Sequence, residues 1–328
     1  MKTNKKKRLA CISLDLDNQW SYMKIHGDEG WDKYPSYFDI FIPHILDVLD
    51  ELDLKITFFI VGKDAESADN RKYLKMITDR GHETGNHSYH HESWLQTYSY
   101  DKIEKEIISA EEAISSATGQ TPVGFRGPGF SWSPDLLEVL KKRNYLYDAS
   151  TLPTWLGPLA RMYYFWKSDL TKKEKKSRKE LFGTFKDGLR SNKPYYHNLK
   201  DNKTLLEIPV TTTPVLRIPF HLSYLIYLSG ISNFLMKAYL KTAIILCKAT
   251  GTKPSYLLHP LDLIGGDKVQ ALAFFPGMNL GSDRKVKVFK YVIKSMQKHF
   301  ELVPMSVFSK NVIEMKEKKV AEGVGSLV

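Results

Sequence analysis

Cysteine is scarce in this chain: Cys11 and Cys247 are the two in 328 residues. Two thiols without metal-site spacing provide neither a disulfide framework nor a zinc ribbon, so a reducing, cytoplasmic setting is expected. Long apolar runs are lacking as well. The apolar stretch behind Lys5-Lys6-Lys7-Arg8 stops at Asp15, too soon for a signal-peptide core or a lipoprotein signal at Cys11. Ile218 to Met236 holds no Asp, Glu, Lys or Arg, but Pro219, His221, Gly230, Asn233 and several serines make it a poor spanning helix. There is no internal repeat, and low complexity is confined to Lys172–Lys179.

What is present is ample core material. At 42% hydrophobic and 26% charged residues the chain reads as globular, which excludes disordered and fibrous classes. The formal charge of +11 is concentrated: residues 160–195 carry eleven Lys/Arg against four Asp/Glu, and the first eight residues add five positive charges. Concentrated basic charge suits phosphates, nucleic acid or an anionic membrane surface.

Short apolar runs alternate with segments of helical period. Strands are expected at Leu9–Leu16, Lys55–Val61, Glu83–Asn86, Val123–Phe125, Tyr145–Ala149, Leu205–Val210 and Tyr256–His259. Helices are expected at Phe38–Leu54, Asn70–Asp79, Tyr100–Thr118, Pro134–Arg143, in a long region ending at Lys248, and at Arg284–Lys298. Pro134 near a helix start and Gly81 and Gly119 just past helix ends are the usual punctuation. This βα rhythm favours parallel strands in an α/β fold, a deformed (β/α) barrel of about seven strands, whose site lies at the strands' C-terminal ends. The rhythm breaks after Ala149. The organisation expected is a barrel over residues 9–305, an inserted basic and aromatic segment over 153–204, and a C-terminal tail over 306–328.

Chemistry-bearing residues gather at those strand ends. Asp15 and Asp17 are two apart on one strand and should point to one side. His87 and His91 are spaced i, i+4, as on one face of a helical turn, where two imidazoles can ligate one ion. Two His and one carboxylate make a three-sided site that leaves room for water and substrate. Taken singly, the aspartates also fit a turn and the histidines a surface cluster. Arg126, Asp148 and His259 each end a further expected strand. The same ligand types serve non-haem iron oxygenases, but there a His and a carboxylate stand one residue apart with a distant second His, whereas here a remote Asp joins an HxxxH.

In this order the five segments resemble the polysaccharide deacetylase (NodB-homology) family, carbohydrate esterase family 4, over residues 9 to about 305. The resemblance implies that Ser13-Leu14-Asp15-Leu16-Asp17 supplies the general base, Asp15, and a metal ligand, Asp17. His87-Ser88-Tyr89-His90-His91 would supply the other ligands, His87 and His91. Arg126-Gly127-Pro128 implies that Arg126 orients the base, and Leu257-Leu258-His259-Pro260 makes His259 the general acid. The separated DxD marks a branch that includes peptidoglycan deacetylases and ring-opening amidohydrolases. Gly129 stands where an aromatic residue is usual, and its N–H is a candidate oxyanion donor. Asp148 matches the fourth motif, with Asp262 as the alternative partner for His259.

The implied activity is metal-dependent amide hydrolysis: N-deacetylation of an amino sugar in a glycan or lipid-linked glycan precursor. A cyclic amide or ureide hydrolase and a non-catalytic glycan-binding module are the alternatives. The implied cofactor is one divalent ion, zinc first, with cobalt, nickel or manganese also compatible. The partners expected are an acetylated amino sugar and an anionic membrane surface met through residues 160–236, where Tyr163-Tyr164-Phe165-Trp166 and Leu181, Phe182, Phe185 and Leu189 lie among lysines. That segment also fits a charged lid. Nucleic acid is disfavoured, because no recognised binding motif is present.

Overall fold

Alternation along a strand decides what each face of a sheet becomes. The structure, a computed structural model, describes residues 7–157 and 185–322. The chain runs β1 (Arg8–Leu16), α1 (Gln19–His26), α2 (Phe38–Glu51), β2 (Thr57–Ile60), α3 (Gly62–Glu66), α4 (Ala68–Asp79), β3 (Glu83–Asn86), α5 (Tyr100–Thr118), β4 (Gly124–Phe125), α6 (Pro134–Lys142) and β5 (Tyr147–Asp148). Beyond residue 184 come β6 (Tyr195–Asn198), β7 (Thr204–Glu207), α7 (Leu222–Ile231), α8 (Asn233–Thr250), β8 (Ser255–Leu258), α9 (Ser282–Gln297), β9 (Phe300–Val303) and α10 (Met305–Ala321).

The strands form one sheet in the order β6-β7-β5-β4-β3-β2-β1-β8, with β9 paired to the first half of β1. All pairings are parallel except β6 with β7. The mostly parallel strands curl into a half-barrel, the deformed (β/α) barrel expected. Nine strands are described rather than about seven: β6 lies where the rhythm breaks, and β9 follows α9 after only two residues. The expected helical region to Lys248 is two helices, because Ser232 is extended (φ −158°, ψ 124°) and caps α8 through Leu235 N. Tyr163–Trp166, Lys172–Lys179, Leu181 and Phe182 lie outside the described residues.

In β1, Ala10, Ile12, Leu14 and Leu16 face the helix layer and pack with Phe41, Ile45, Leu258 and Phe289. Cys11 faces the hollow of the half-barrel with Phe59, Tyr147, Leu206 and Ile208, and Ser13 and Asp15 lie above it on the same side. The parallel register aligns Asp15 with Phe59, Phe59 with Gly85, and Asn86 with Phe125. The residues that follow each strand therefore share one rim.

The opposite end of the hollow is closed by α10, whose first turn inserts the buried Met305 and Phe308 beneath Cys11 and Phe59. Its N-terminus is pinned by Thr57 Oγ1, which accepts from Met305 N (2.8 Å), and by the buried Glu83, which accepts from Ser306 N (2.8 Å) and the Tyr147 hydroxyl (3.0 Å). Residues 306–321, expected as tail, are thus helical, and their beginning forms the barrel floor.

Phe308→Ala should cost about 3–5 kcal/mol of stability, the range for emptying a buried aromatic position. Urea unfolding reads it; a loss below about 1 kcal/mol would show that α10 is not part of the core.

Candidate active site

Arg126 is fully buried at the end of β4, and each edge of its guanidinium is satisfied. Nη1 donates to Asp15 Oδ1 and to Ser13 Oγ, both at 2.8 Å, and Nε donates to Ala149 O at 3.0 Å. The group lies 4.6 Å over the Phe59 ring and touches Met305 Sδ from above the floor. Gly127 follows because nothing larger fits: a Cβ there would meet Ser131 O at 1.9 Å.

The Arg126 carbonyl accepts from His87 Nδ1 at 2.6 Å. That bond places the ring proton on Nδ1 and leaves the Nε2 lone pair facing Asp17, the arrangement metal-ligating histidines adopt. Asp17 Oδ1 lies 2.9 Å from His91 Nε2 and 3.5 Å from His87 Nε2. It is buried and accepts no hydrogen bond among the described residues. Burial alone would raise the Asp17 pKa, but the His91 and His87 rings outweigh it and hold the carboxyl well below its ordinary range. Three donor atoms within 4.8 Å of one another, one of them an orphaned carboxylate oxygen, fit a divalent cation.

The two histidines do not sit on a helical turn, as their spacing suggested. Ser88 (φ 61°) and His91 (φ 53°) are left-handed, so the segment is a folded loop. Such backbone persists only when its surroundings fix it. Here the buried Glu106 accepts from Tyr89 N (3.1 Å), His90 N (3.0 Å) and His90 Nδ1 (2.5 Å), while Asn86 Oδ1 accepts from Ser88 N (2.9 Å). Glu106 escaped the sequence reading, although a glutamate inside the apolar stripe Ile103, Ile107, Ala110 was the available signal.

His259 follows β8. Its backbone N–H donates to Asp262 Oδ2 (2.9 Å), and its ring Nδ1 lies 3.7 Å from the same carboxylate and 3.4 Å from Ser223 Oγ. Burial would lower its pKa, but Asp262 first, then Asp15 and Asp17, raise it to about 9. The buried His221 lies edge-on to it at 6.1 Å and is driven down to about 3 by desolvation and by His259 itself.

Asp148 is not part of this constellation. Tyr147 takes the hollow-facing position, so Asp148 points to the opposite face. There its Oδ1 accepts from Ala149 N (2.9 Å) and Ser150 Oγ (2.5 Å), and Asp262 stands beside His259 instead. Gly129 is exposed in a left-handed turn against Ser93. The aromatic wall comes from another element: Trp20 in α1 stands edge-on to His91 at 6.4 Å, its indole N–H held by the buried Asp64 (2.8 Å). Tyr22, also buried, lies close enough to Asp17, Asp262 and Asp15 for their charges to raise its pKa beyond what desolvation does.

Residues 28–147 match the family model described as Polysaccharide deacetylase. A "Peptidoglycan deacetylase" of Helicobacter pylori is 31% identical over 151 residues, 45% of this chain and 50% of that protein. A "Peptidoglycan-N-acetylglucosamine deacetylase" of Bacillus cereus is 38% identical over 119 residues, 36% of this chain and 42% of that protein. The chain thus spans half or less of the length of these two relatives. A crystallised chain from Mycobacterium smegmatis assigned to the polysaccharide deacetylases superposes with TM-score 0.58 at 19% identity, covering 96% of this chain and 94% of that one, which speaks to the fold. On the family match and these relatives together, the stretch over residues 28–147 is similar to the polysaccharide deacetylases.

Proposed function

We propose that the chain hydrolyses the N-acetyl amide of an amino sugar within a glycan or lipid-linked glycan precursor. The observation that carries this reading is the convergence of Asp17 Oδ1, His87 Nε2 and His91 Nε2 beside the Arg126–Asp15 pair. Asp17, His87 and His91 would hold one divalent ion, zinc by preference. When bound, such an ion acidifies a water and polarises the amide carbonyl.

This chain's own residues do the rest. Asp15, held by the Arg126 guanidinium, accepts the proton of the attacking water. The backbone N–H of Gly129 is the proposed second donor to the oxyanion, a contribution that elsewhere reaches about 3 kcal/mol. His259, kept protonated by Asp262, gives its proton to the departing amine. Trp20 bounds the pocket beside His91. The peptidoglycan deacetylase names of the Helicobacter pylori and Bacillus cereus relatives favour a linear acetamide over a cyclic amide or ureide.

Asp17→Ala, His87→Ala and His91→Ala should each lose the metal held by these three residues and acetate release from acetylated oligosaccharides, followed by metal analysis and an acetate assay. Full turnover in any of the three would remove the assignment. A second expectation concerns pH. A general acid works protonated, so kcat/KM should fall as pH rises through the His259 pKa, near 9. Asp262→Asn removes the charge that raises it and should move this alkaline limb toward the ordinary imidazole value of about 6.5. A limb that stays in place would take the acid role from His259.

The substrate's setting is also proposed, namely an anionic membrane face in the cytoplasm. No helix among the described residues is long and apolar enough to cross a membrane. Yet α7 contains no charged residue, and Tyr227 and Ile231 at its far end are exposed with Phe234 and Leu235 at the start of α8. Tyr239, one turn beyond Leu235, donates to Pro219 O (2.9 Å), which brings the exposed Val215–Ile218 turn alongside. Lys237, Lys241 and Lys248 line the adjoining groove between α8 and α9. Apolar side chains rimmed by lysine suit acyl chains under anionic headgroups. Vesicles rich in phosphatidylglycerol should float the protein at low salt and less at moderate salt, and Ile231→Ser with Phe234→Ser should reduce the bound fraction several-fold; no flotation at either salt ends this part of the reading.

A further inference from the structure

On the outer face of the sheet, at the edge made by β5, β7 and β6, a second group of side chains converges. Asp148 and Glu207 are direct neighbours in the parallel register, and His197 reaches across from the antiparallel edge strand. One ligand atom from each lies within 4.8 Å of the others, and His197 Nε2 is 3.6 Å from Glu207 Oε2. Both carboxylates are completely buried and His197 is partly buried.

The two oxygens of each carboxylate are used differently. Asp148 Oδ1 accepts from Ala149 N and Ser150 Oγ, and Glu207 Oε1 accepts from Thr151 N (3.1 Å) and Thr151 Oγ1 (2.5 Å). The remaining oxygens, Asp148 Oδ2 and Glu207 Oε2, and the ring nitrogen His197 Nε2 are all buried without a hydrogen-bond partner. We infer that Asp148, Glu207 and His197 form a second divalent-cation site, distinct from Asp17, His87 and His91, that binds a first-row metal ion of the manganese or zinc kind.

Three arguments support it. Adjacent buried carboxylates resist joint ionisation, no lysine or arginine among the described residues forms an ion pair with either, and Arg126 acts on Glu207 only at longer range, so a divalent cation would supply the charge that a shared proton otherwise must. Each proposed ligand oxygen belongs to a carboxylate whose other oxygen is fixed by two donors, the outer-shell pattern that orients metal ligands. The third ligand is an imidazole whose ring packs 5.3 Å from Trp132 and whose Nε2 has no other partner among the described residues. Two carboxylates and one imidazole suit manganese, iron or zinc better than calcium or magnesium.

The consequence reaches the catalytic rim. Ser150 Oγ, which donates to Asp148, accepts from Gly127 N (2.8 Å), and Ala149 O holds Arg126 Nε. An ion at Asp148 would therefore brace the 149–151 segment that carries part of the Arg126 cage, while the hairpin of β6 and β7 is tied to β5.

The test is stoichiometry. Metal-stripped full-length protein is titrated with Mn²⁺ or Zn²⁺, dialysed and analysed for bound metal. Wild type should hold two equivalents, Asp17→Ala one, Glu207→Gln one, and the double variant none. His197→Ala, at the sheet edge, serves as the second single variant if Glu207→Gln does not fold. Anomalous diffraction from Mn²⁺-soaked crystals of wild type should show a peak between Asp148 Oδ2 and Glu207 Oε2. A single equivalent in wild type, abolished by Asp17→Ala, would overturn the proposal and leave Asp148 and Glu207 as a pair sharing one proton. Loss of the first site with retention of this one would count against the hydrolase reading instead, so the two failures are separable.

Discussion

A guanidinium with no access to water must be answered on every side, and the arrangement that answers Arg126 organises the rest of the molecule. An unpaired charge in that position would cost several kcal/mol. Its partners come from three other strands: Ser13 and Asp15 on β1, the Phe59 ring on β2, and the backbone after β5, with Arg126 itself ending β4. The same residue's carbonyl sets the tautomer of His87. One side chain and its own peptide thus fix the base, one ligand and the packing between strands that are distant in sequence. The floor supplied by α10 belongs to this constraint, because Met305 lies directly under the guanidinium.

Around that centre, ionisable groups that look alike in composition are separated by their surroundings. Asp17 is held ionised against burial by two imidazoles, whereas Asp64, more deeply buried and served among the described residues by Asn18 and Trp20, is pushed up to about 7. His259 gains a proton from its position beside Asp262, and His221, six ångströms away, is kept from gaining one. Environments that drive like groups apart are how one pocket holds an acid and a base at the same pH. Glu106 works at a further remove, accepting the N–H groups of Tyr89 and His90 so that the loop carrying His91 can keep its left-handed turns.

How much of this the sequence disclosed follows from what each feature depends on. The seven expected strands are all present; β6, the polar Tyr195–Asn198, exists through its hairpin pairing with β7, and β9 through its pairing with β1 at the far end of the chain. Asp17, His87 and His91 were legible because the residue types and order carry them, but their convergence rests on the Ser88 and His91 backbone, which no spacing rule encodes. Asp148 was misplaced for a definite reason: in a two-residue strand the face is set by the neighbour, and the bulky Tyr147 claims the hollow. Trp20 and Glu106 were missed because each acts through a contact with a loop 70 residues, or a helix turn 15 residues, away.

The short helix α7 joins the two halves of the functional reading. His221 at its N-cap and Ser223 in its first turn stand against His259, while Tyr227 and Ile231 emerge at the other end. Ten residues of α-helix span about 15 Å, so a surface met by the exposed end lies within one helix length of the acid. The helix is apolar all round, which an isolated surface helix cannot sustain and which a helix buried on one side and covered by a partner on the other requires. With α7 seated on a membrane, as proposed, its docking end and the acid would form a single unit, since a shift of α7 moves Ser223 and His221 against His259.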